Sequence, residues 1–420
     1  MYKEFYEHVL EMMRRRRPFA LATVVAVRGS SSAKPGSKAI IDETGRNVLG
    51  WIGGGCAQSF VCEEARRALD ERRTRLVTAD LEDEILGLGM PCGGFMDIYI
   101  EPVFPRPRLV IAGRDDATTD ALPLLADMAG FEVVASDTRA GPFAFEAGDY
   151  LLAARTDEAL LHVVRRALSA GVRYAGLPEG LLPNCRYPFE KALGIVVELL
   201  ALERGKTGRP LSVVEETASC VEEKASCDAG RAARDAGRAA RDAGRAASES
   251  SRVPKLVITG HSRITEELAR LGELFQWPTT VNDPSARPDA YSARTCVVSQ
   301  DPDFARLAAD PRTYVVVASH HKGDHLAILK ALGEGACYVG LVASRKRSDL
   351  ILDDLARRGA RREWLARFHA PAGLDVGAVA PSEIALSIMA EMLAVELARR
   401  PAPPPVDGST HMTDDVAVGA

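Results

Sequence analysis

Two spacings of apolar residues alternate along the chain. In residues 3–16 the apolar positions recur at helical spacing, whereas 19–27 and 38–42 are short apolar runs of strand length. Thr44-Gly45 reads as a turn before a third run at 48–52. A helix is predicted from about 56 to 72 and a strand from 95 to 101. Residues 1–105 therefore read as one α+β domain.

After residue 105 the pattern changes. Strand-like runs at 255–259, 279–282, 295–299, 313–318 and 337–342 are separated by helix-like stretches. That order predicts a parallel sheet covered on both faces, with ligands at the carboxyl ends of its strands. An earlier stretch resembles this one. Leu109-Val-Ile-Ala-Gly113 matches Leu256-Val-Ile-Thr-Gly260, and Val172-Arg-Tyr-Ala-Gly-Leu177 matches Ala336-Cys-Tyr-Val-Gly-Leu341. Residues 192–201 match 385–394 in the same order. These matches imply an internal duplication, with a period too long for a solenoid.

The two copies differ in ways that bear on function. Gly176 precedes Ala192 by 16 positions, while Gly340 precedes Ala385 by 45, so the first copy lacks about a helix and a loop. Its first strand ends in Gly113-Arg114-Asp115-Asp116, where two carboxylates would repel a phosphate. The second copy has Gly260-His261-Ser262-Arg263 there, which suits an anion. Residues 106–215 thus read as a degenerate Rossmann-like domain and 254–400 as one that keeps a site. Between them, 216–253 holds three copies of DAGRAAR, the last ending in Ser248. A glycine in every heptad costs about 1 kcal/mol of helix stability, so this segment reads as a solvated linker. Residues 401–420, rich in proline at the start, read as a disordered tail. The expected fold class is α/β, an α+β domain followed by two Rossmann-like parallel-sheet domains.

Composition narrows the function classes. A chain of 420 residues, 46% hydrophobic, has room for two or three domains. Its net charge of -5 gives no global field for nucleic acid or an anionic membrane. The eight cysteines show no repeated zinc spacing. No signal peptide opens the chain and no apolar run reaches transmembrane length, so the expected compartment is the cytoplasm, with reduced thiols.

Candidate chemistry gathers at two cysteine motifs. Gly53-Gly54-Gly55-Cys56 lies between a strand-like run and a helix, where free amides and the dipole favour a thiolate and an anion. Cys92-Gly93-Gly94 repeats the theme before another strand. Lys38 follows the loop at Pro35-Gly36 and is a candidate phosphate ligand. In the second copy, Asp283 stands 23 positions after Gly260, near the spacing of an acid that meets a ribose hydroxyl. Asp324 follows a strand end, where ligands bind. Ser344-Arg345-Lys346 opens a helix with cations at its positive end, an arrangement that calls for an anion. His321 and His325 are four apart, but no third ligand has a suitable spacing, and no metal site is assigned.

Longer motifs point to a family. Ala22-Thr-Val-Val-Ala-Val-Arg-Gly-Ser-Ser31, Pro35-Gly-Ser-Lys38, Gly53-Gly-Gly-Cys56 and Cys92-Gly-Gly-Phe-Met-Asp-Ile-Tyr-Ile-Glu-Pro102 resemble the XdhC/CoxI family. Gly260-His-Ser262, Tyr338-Val-Gly-Leu-Val-Ala-Ser-Arg-Lys346 and His369-Ala-Pro-Ala-Gly-Leu-Asp-Val-Gly-Ala378 carry the same resemblance. The resemblance implies an accessory protein that binds molybdenum cofactor (molybdopterin), supports its sulfuration and delivers it to an apo-hydroxylase of the xanthine or CO dehydrogenase type. A cysteine desulfurase as sulfur donor and a homodimeric state are expected with it, as is a chaperone more than a turnover enzyme. Cys56 or Cys92 would contact the metal or the incoming sulfur; Gly53, Gly54, Gly55, Gly93, Gly94 and Lys38 would hold the phosphate. Gln58 departs from the family, where an acid often stands. A full G-x-G-x-x-G is also missing, with Ile258 and Arg263 at the flanking glycine places. Two rival readings are an NAD(P)-dependent oxidoreductase using 254–400 and a non-enzymatic assembly scaffold.

Overall fold

The computed structural model describes residues 2–29, 31–53, 56–80, 94–113, 116–136, 143–153, 158–176, 187–206, 253–298, 301, 304, 307–319 and 324–399. Gly54, Gly55, Cys92, Gly93, linker residues 216–252 and the tail at 401–420 lie outside these residues. The chain divides into two compact units, one ending at Pro107 and the other beginning at Arg108.

The first unit is an antiparallel sheet between two helices. Its elements are α1 (Tyr2–Arg14), β1 (Phe19–Gly29), β2 (Lys38–Asp42), β3 (Asn47–Gly50), α2 (Cys56–Asp70), β4 (Arg75–Asp80) and β5 (Gly94–Val103). The sheet order is β3-β2-β1-β5-β4. β1 reads as an unbroken apolar run because both its faces are covered. Ala20, Ala22 and Val24 share a core with Val61 and Ala65 of α2, while Phe19 packs with Phe5 and Met12 of α1. β4 was not expected from the pattern. It is an edge strand with only Ala79 buried and Leu76 outward, so it lacks the apolar alternation that marks a strand.

The second unit holds two parallel sheets. The smaller is ordered β7-β6-β8-β9, from β6 (Arg108–Ala112), β7 (Glu132–Ser136), β8 (Tyr150–Ala153) and β9 (Tyr174–Gly176). Its helices are α3 (Asp116–Met128), α4 (Glu158–Ser169) and α5 (Pro188–Glu203). The larger is ordered β12-β11-β10-β13-β14-β15. Its strands are β10 (Lys255–Thr259), β11 (Thr279–Asn282), β12 (Cys296–Val298), β13 (Thr313–Val317), β14 (Tyr338–Leu341) and β15 (Phe368–His369). This is the order of dinucleotide-binding folds, and it places the topological switch point between β10 and β13. Its helices are α6 (Arg263–Leu274), α7 (Asp324–Gly333), α8 (Arg345–Arg357), α9 (Arg362–Leu365) and α10 (Pro381–Arg399). The extra stretch of the second copy holds two helices and β15, more than the helix and loop expected.

One apolar core joins the two sheets. Leu109 and Ile111 of β6, Leu193 and Val196 of α5, Leu256 and Ile258 of β10, and Ile388 and Met392 of α10 belong to it. The duplication is also visible in hydrogen bonds. Tyr150 donates to Glu203 at 2.6 Å, and its counterpart Tyr314 donates to Glu396 at 2.7 Å. Phe131 meets Tyr150 edge-on at 5.3 Å, and at the matching place Trp277 packs on Tyr314 in a tilted arrangement at 5.0 Å.

Candidate functional site

In the first unit, one end of the sheet brings together Gly53, the start of α2 and the start of β5. Gly53 has φ +110, a conformation that L side chains rarely adopt. A Cβ placed there would lie 3.4 Å from Ala57 Cβ, 3.6 Å from Met96 Cε and 4.0 Å from Ala33 Cβ. Ala57 follows Cys56, the first residue of α2, and Met96 lies two residues past Gly94, the first residue of β5. Ser31 Oγ donates to Met96 Sδ at 3.4 Å, tying in the loop after β1. Gly53, the start of α2 and the start of β5 therefore converge, although their motifs are far apart in sequence. The first turn of α2 contains no acidic residue, so its amides and dipole are not offset by a carboxylate of that turn.

Lys38 is not part of this cluster. It pairs with Thr23 across β1 and β2, and its ammonium donates to Thr23 Oγ1 at 2.9 Å. Strand alternation places Ala22 and Ala39 toward α2, and hence Thr23 and Lys38 on the face of α1. The sheet separates Lys38 from α2.

In the second unit, the strand ends surround Gly260. Its φ is +113, and a Cβ would come within 2.6 Å of the Ala318 carbonyl group and 2.8 Å of Ser319 N. His261 Nδ1 lies 2.9 Å from Tyr291 Oη. Ser262 caps α6: its Oγ accepts from Thr265 N at 3.4 Å, and its own N donates to Thr265 Oγ1 at 2.8 Å. Counted from Gly260, Ser262 and Thr265 hold the second and third glycine places of G-x-G-x-x-G, rather than Ile258 and Arg263 standing in for them. Two amides at this helix start, those of Ser262 and Thr265, are thus bonded to each other's side chains.

The remaining sequence candidates are placed as follows. Asp283 is 3% exposed, and its carboxylate accepts from Ser285 N at 2.7 Å, closing its own turn. Asp324 is equally buried and is bound by Ser319 Oγ and the Arg347 guanidinium. It joins α7 to α8 and is not presented to a ligand. Ser344 caps α8, accepting from Arg347 N at 3.4 Å. Arg345 and Lys346 are exposed, and Arg345 reaches Asp375 at 3.6 Å. Two polar atoms at the strand ends have no partner among the described residues: Thr259 Oγ1 and Asn282 Oδ1, neighbours in the β10–β11 register. Buried polar atoms are nearly always paired, so these keep the switch point a candidate site. Among the described residues, no three His, Cys, Asp or Glu side chains gather as a metal site.

One cluster escaped the motif reading. Glu391 of α10 accepts from Tyr338 Oη at 2.6 Å and from Gly373 N at 2.8 Å, and lies 3.2 Å from His369 Nδ1. The His369 ring stacks on Tyr338 at 4.4 Å. Burial opposes ionisation of Glu391, yet the bonds from His369, Tyr338 and Gly373 outweigh it and hold its pKa below the usual value. Burial, followed by the charge of Glu391, drives the Tyr338 pKa well up. The cluster fixes the loop after β15 onto α10. Its signal was in the duplication: Tyr174 and Glu198 stand at the matching places of the first copy.

Comparison with known proteins identifies the chain's relatives. Residues 12–80 match the model of the XdhC and CoxI family, and residues 256–392 match that of the XdhC Rossmann domain. The chain belongs to the XdhC/CoxI family. A probable xanthine dehydrogenase subunit of Bacillus subtilis (strain 168) is 21% identical over 89% of this chain and 92% of its own length. The uncharacterized protein YqeB of Escherichia coli (strain K12) is 31% identical over 34% of this chain. This chain spans only 27% of the YqeB length. A solved structure described as a xanthine dehydrogenase, from Bacillus halodurans, is 19% identical, with 95% of this chain and 97% of that one covered and a TM-score of 0.30. No helix among the described residues is long and apolar enough to cross a membrane.

Proposed function

We propose that this XdhC/CoxI protein binds molybdenum cofactor as cargo, supports its sulfuration and delivers it to a hydroxylase of the xanthine dehydrogenase type. The observation that carries the reading is the convergence of Gly53, the start of α2 and the start of β5 at one end of the first sheet. Cys56 opens α2 and Cys92 precedes Gly94 by two residues, so both cysteines belong to the motifs that lead into this end. Thiolates are soft ligands suited to a metal–sulfur centre or a sulfur atom in transit. The glycines leave room for close approach of a ligand to the backbone. The amides at the start of α2 favour an anionic group. A cysteine desulfurase is the chemical source of sulfur in this scheme, and the apo-hydroxylase is the acceptor.

Metal analysis of protein purified from molybdenum-replete, cofactor-producing cells tests this. We expect wild-type protein to retain molybdenum and either Cys56→Ala or Cys92→Ala to lose most of it. Retention undiminished in both variants would sink the thiol contact. The rival dinucleotide reading is disfavoured by the closed cap of Ser262 and Thr265 and by the engagement of Asp283 with its own turn.

A further inference from the structure

We propose that the groove between the β2–β3 turn and α2 is a binding site for a phosphate monoester dianion. The groove has a volume of about 730 Å³, and Arg46, Gln58, Ser59, Cys62 and Arg66 are among its lining residues. Its shape follows from the turn. Asp42 Oδ1 accepts from Thr44 N at 3.0 Å, Thr44 Oγ1 at 2.6 Å and Arg46 N at 3.0 Å, which folds the turn on itself. Gly45, with φ +82, then lies against the helix; a Cβ there would be 3.5 Å from Cys62 O and 3.7 Å from Arg66 Cβ. Arg66 thus rests its stem on the turn that carries Arg46.

The charge balance of the groove favours an anion. Asp42 accepts the bonds that close the turn, and Glu63 pairs with Arg67 at 2.6 Å. Arg46 and Arg66 form no ion pair among the described residues; Arg46 is attracted to Asp42, and the one carboxylate lining the groove, Glu63, is held by Arg67, so two guanidiniums border the groove against a single neutralised acid. Two planar forks of donors match the oxygens of a phosphate dianion. Ser59 and Gln58 supply neutral donors in the same groove. Burial pushes the Cys62 thiol up, against a hydrogen bond from the Asn47 backbone, so the thiol adds no negative charge.

The phosphate has two sources that this chemistry admits: the carried cofactor or a free phosphate ester. Cys62 lies six residues beyond Cys56, about 9 Å along the helix axis. A cofactor whose metal end lies at the start of α2 could therefore place its phosphate in the groove. That version rests on the cargo reading; the site itself does not.

Isothermal titration with inorganic phosphate at fixed ionic strength tests the site on the whole chain. Wild-type protein is expected to bind saturably, and the Arg46→Gln/Arg66→Gln double variant roughly tenfold or more weakly. The double Arg→Lys variant should keep part of the affinity, and circular dichroism should be the same for all three proteins. Absence of saturable binding by the wild type, or equal binding by the double Gln variant, overturns the proposal. Molybdenum content of the double Gln variant separates the sources. A loss assigns the groove to the cofactor's phosphate; unchanged molybdenum with lost phosphate binding assigns it to a free ester. If the cysteine variants keep their molybdenum, the thiol reading fails while the phosphate titration stands.

Discussion

Gly260 shows how one residue links backbone geometry to the site. The exits of β10 and β13 approach so closely that a Cβ at 260 would overlap the Ala318 carbonyl group, and the positive φ adds strain for any side chain. Gly260→Ala is expected to cost about 3 kcal/mol, the sum of overpacking and backbone strain, measured by urea unfolding. An unchanged unfolding midpoint would mean that the two exits yield without cost. The glycine itself was legible in sequence, as was Cys56 as a helix start. Other roles were not. Spacing placed Asp283 at a strand end but could not reveal that Ser285 binds its carboxylate. Nor could it show that Lys38 lies across the sheet from α2, because that depends on strand register.

At the scale of elements, Glu391 joins three of them: β14 through Tyr338, β15 through His369 and α10 on which it sits. Its folded pKa lies below the ordinary glutamate value of 4.5. The stability it contributes is therefore present above pH 4.5 and lost as pH falls from there through the folded pKa. Glu391→Gln should remove this part of the acid sensitivity and cost about 1–3 kcal/mol at neutral pH, because Tyr338 and Gly373 lose a charged acceptor. Thermal melts of both proteins between neutral and acid pH check it; parallel curves would rule out this role. Long periodic helices and strands such as β13 and β14 were legible because burial on both faces makes them nearly continuously apolar. β15 was not, since two residues hold no periodicity and its pairing with β14 is made by the fold.

For the second unit as a whole, the two copies behave as one body because α5 and α10 lie in one core. A cavity made in the first copy should therefore weaken the second. Leu193→Ala, at a fully buried site, is expected to cost about 2–5 kcal/mol and to lower hydrogen-exchange protection of β10 and β13 amides as well as of β6. Undiminished protection in β10 and β13 would show that the copies unfold independently. The sequence by itself determined the alternation of strands and helices, the duplication and the family, since these rest on local periodicity and ordered motifs. Only the tertiary structure decided which face Lys38 takes, that side chains close the start of α6, and that Arg46 and Arg66 share a groove. Those facts depend on register, rotamer and the meeting of distant segments, and local pattern does not encode them.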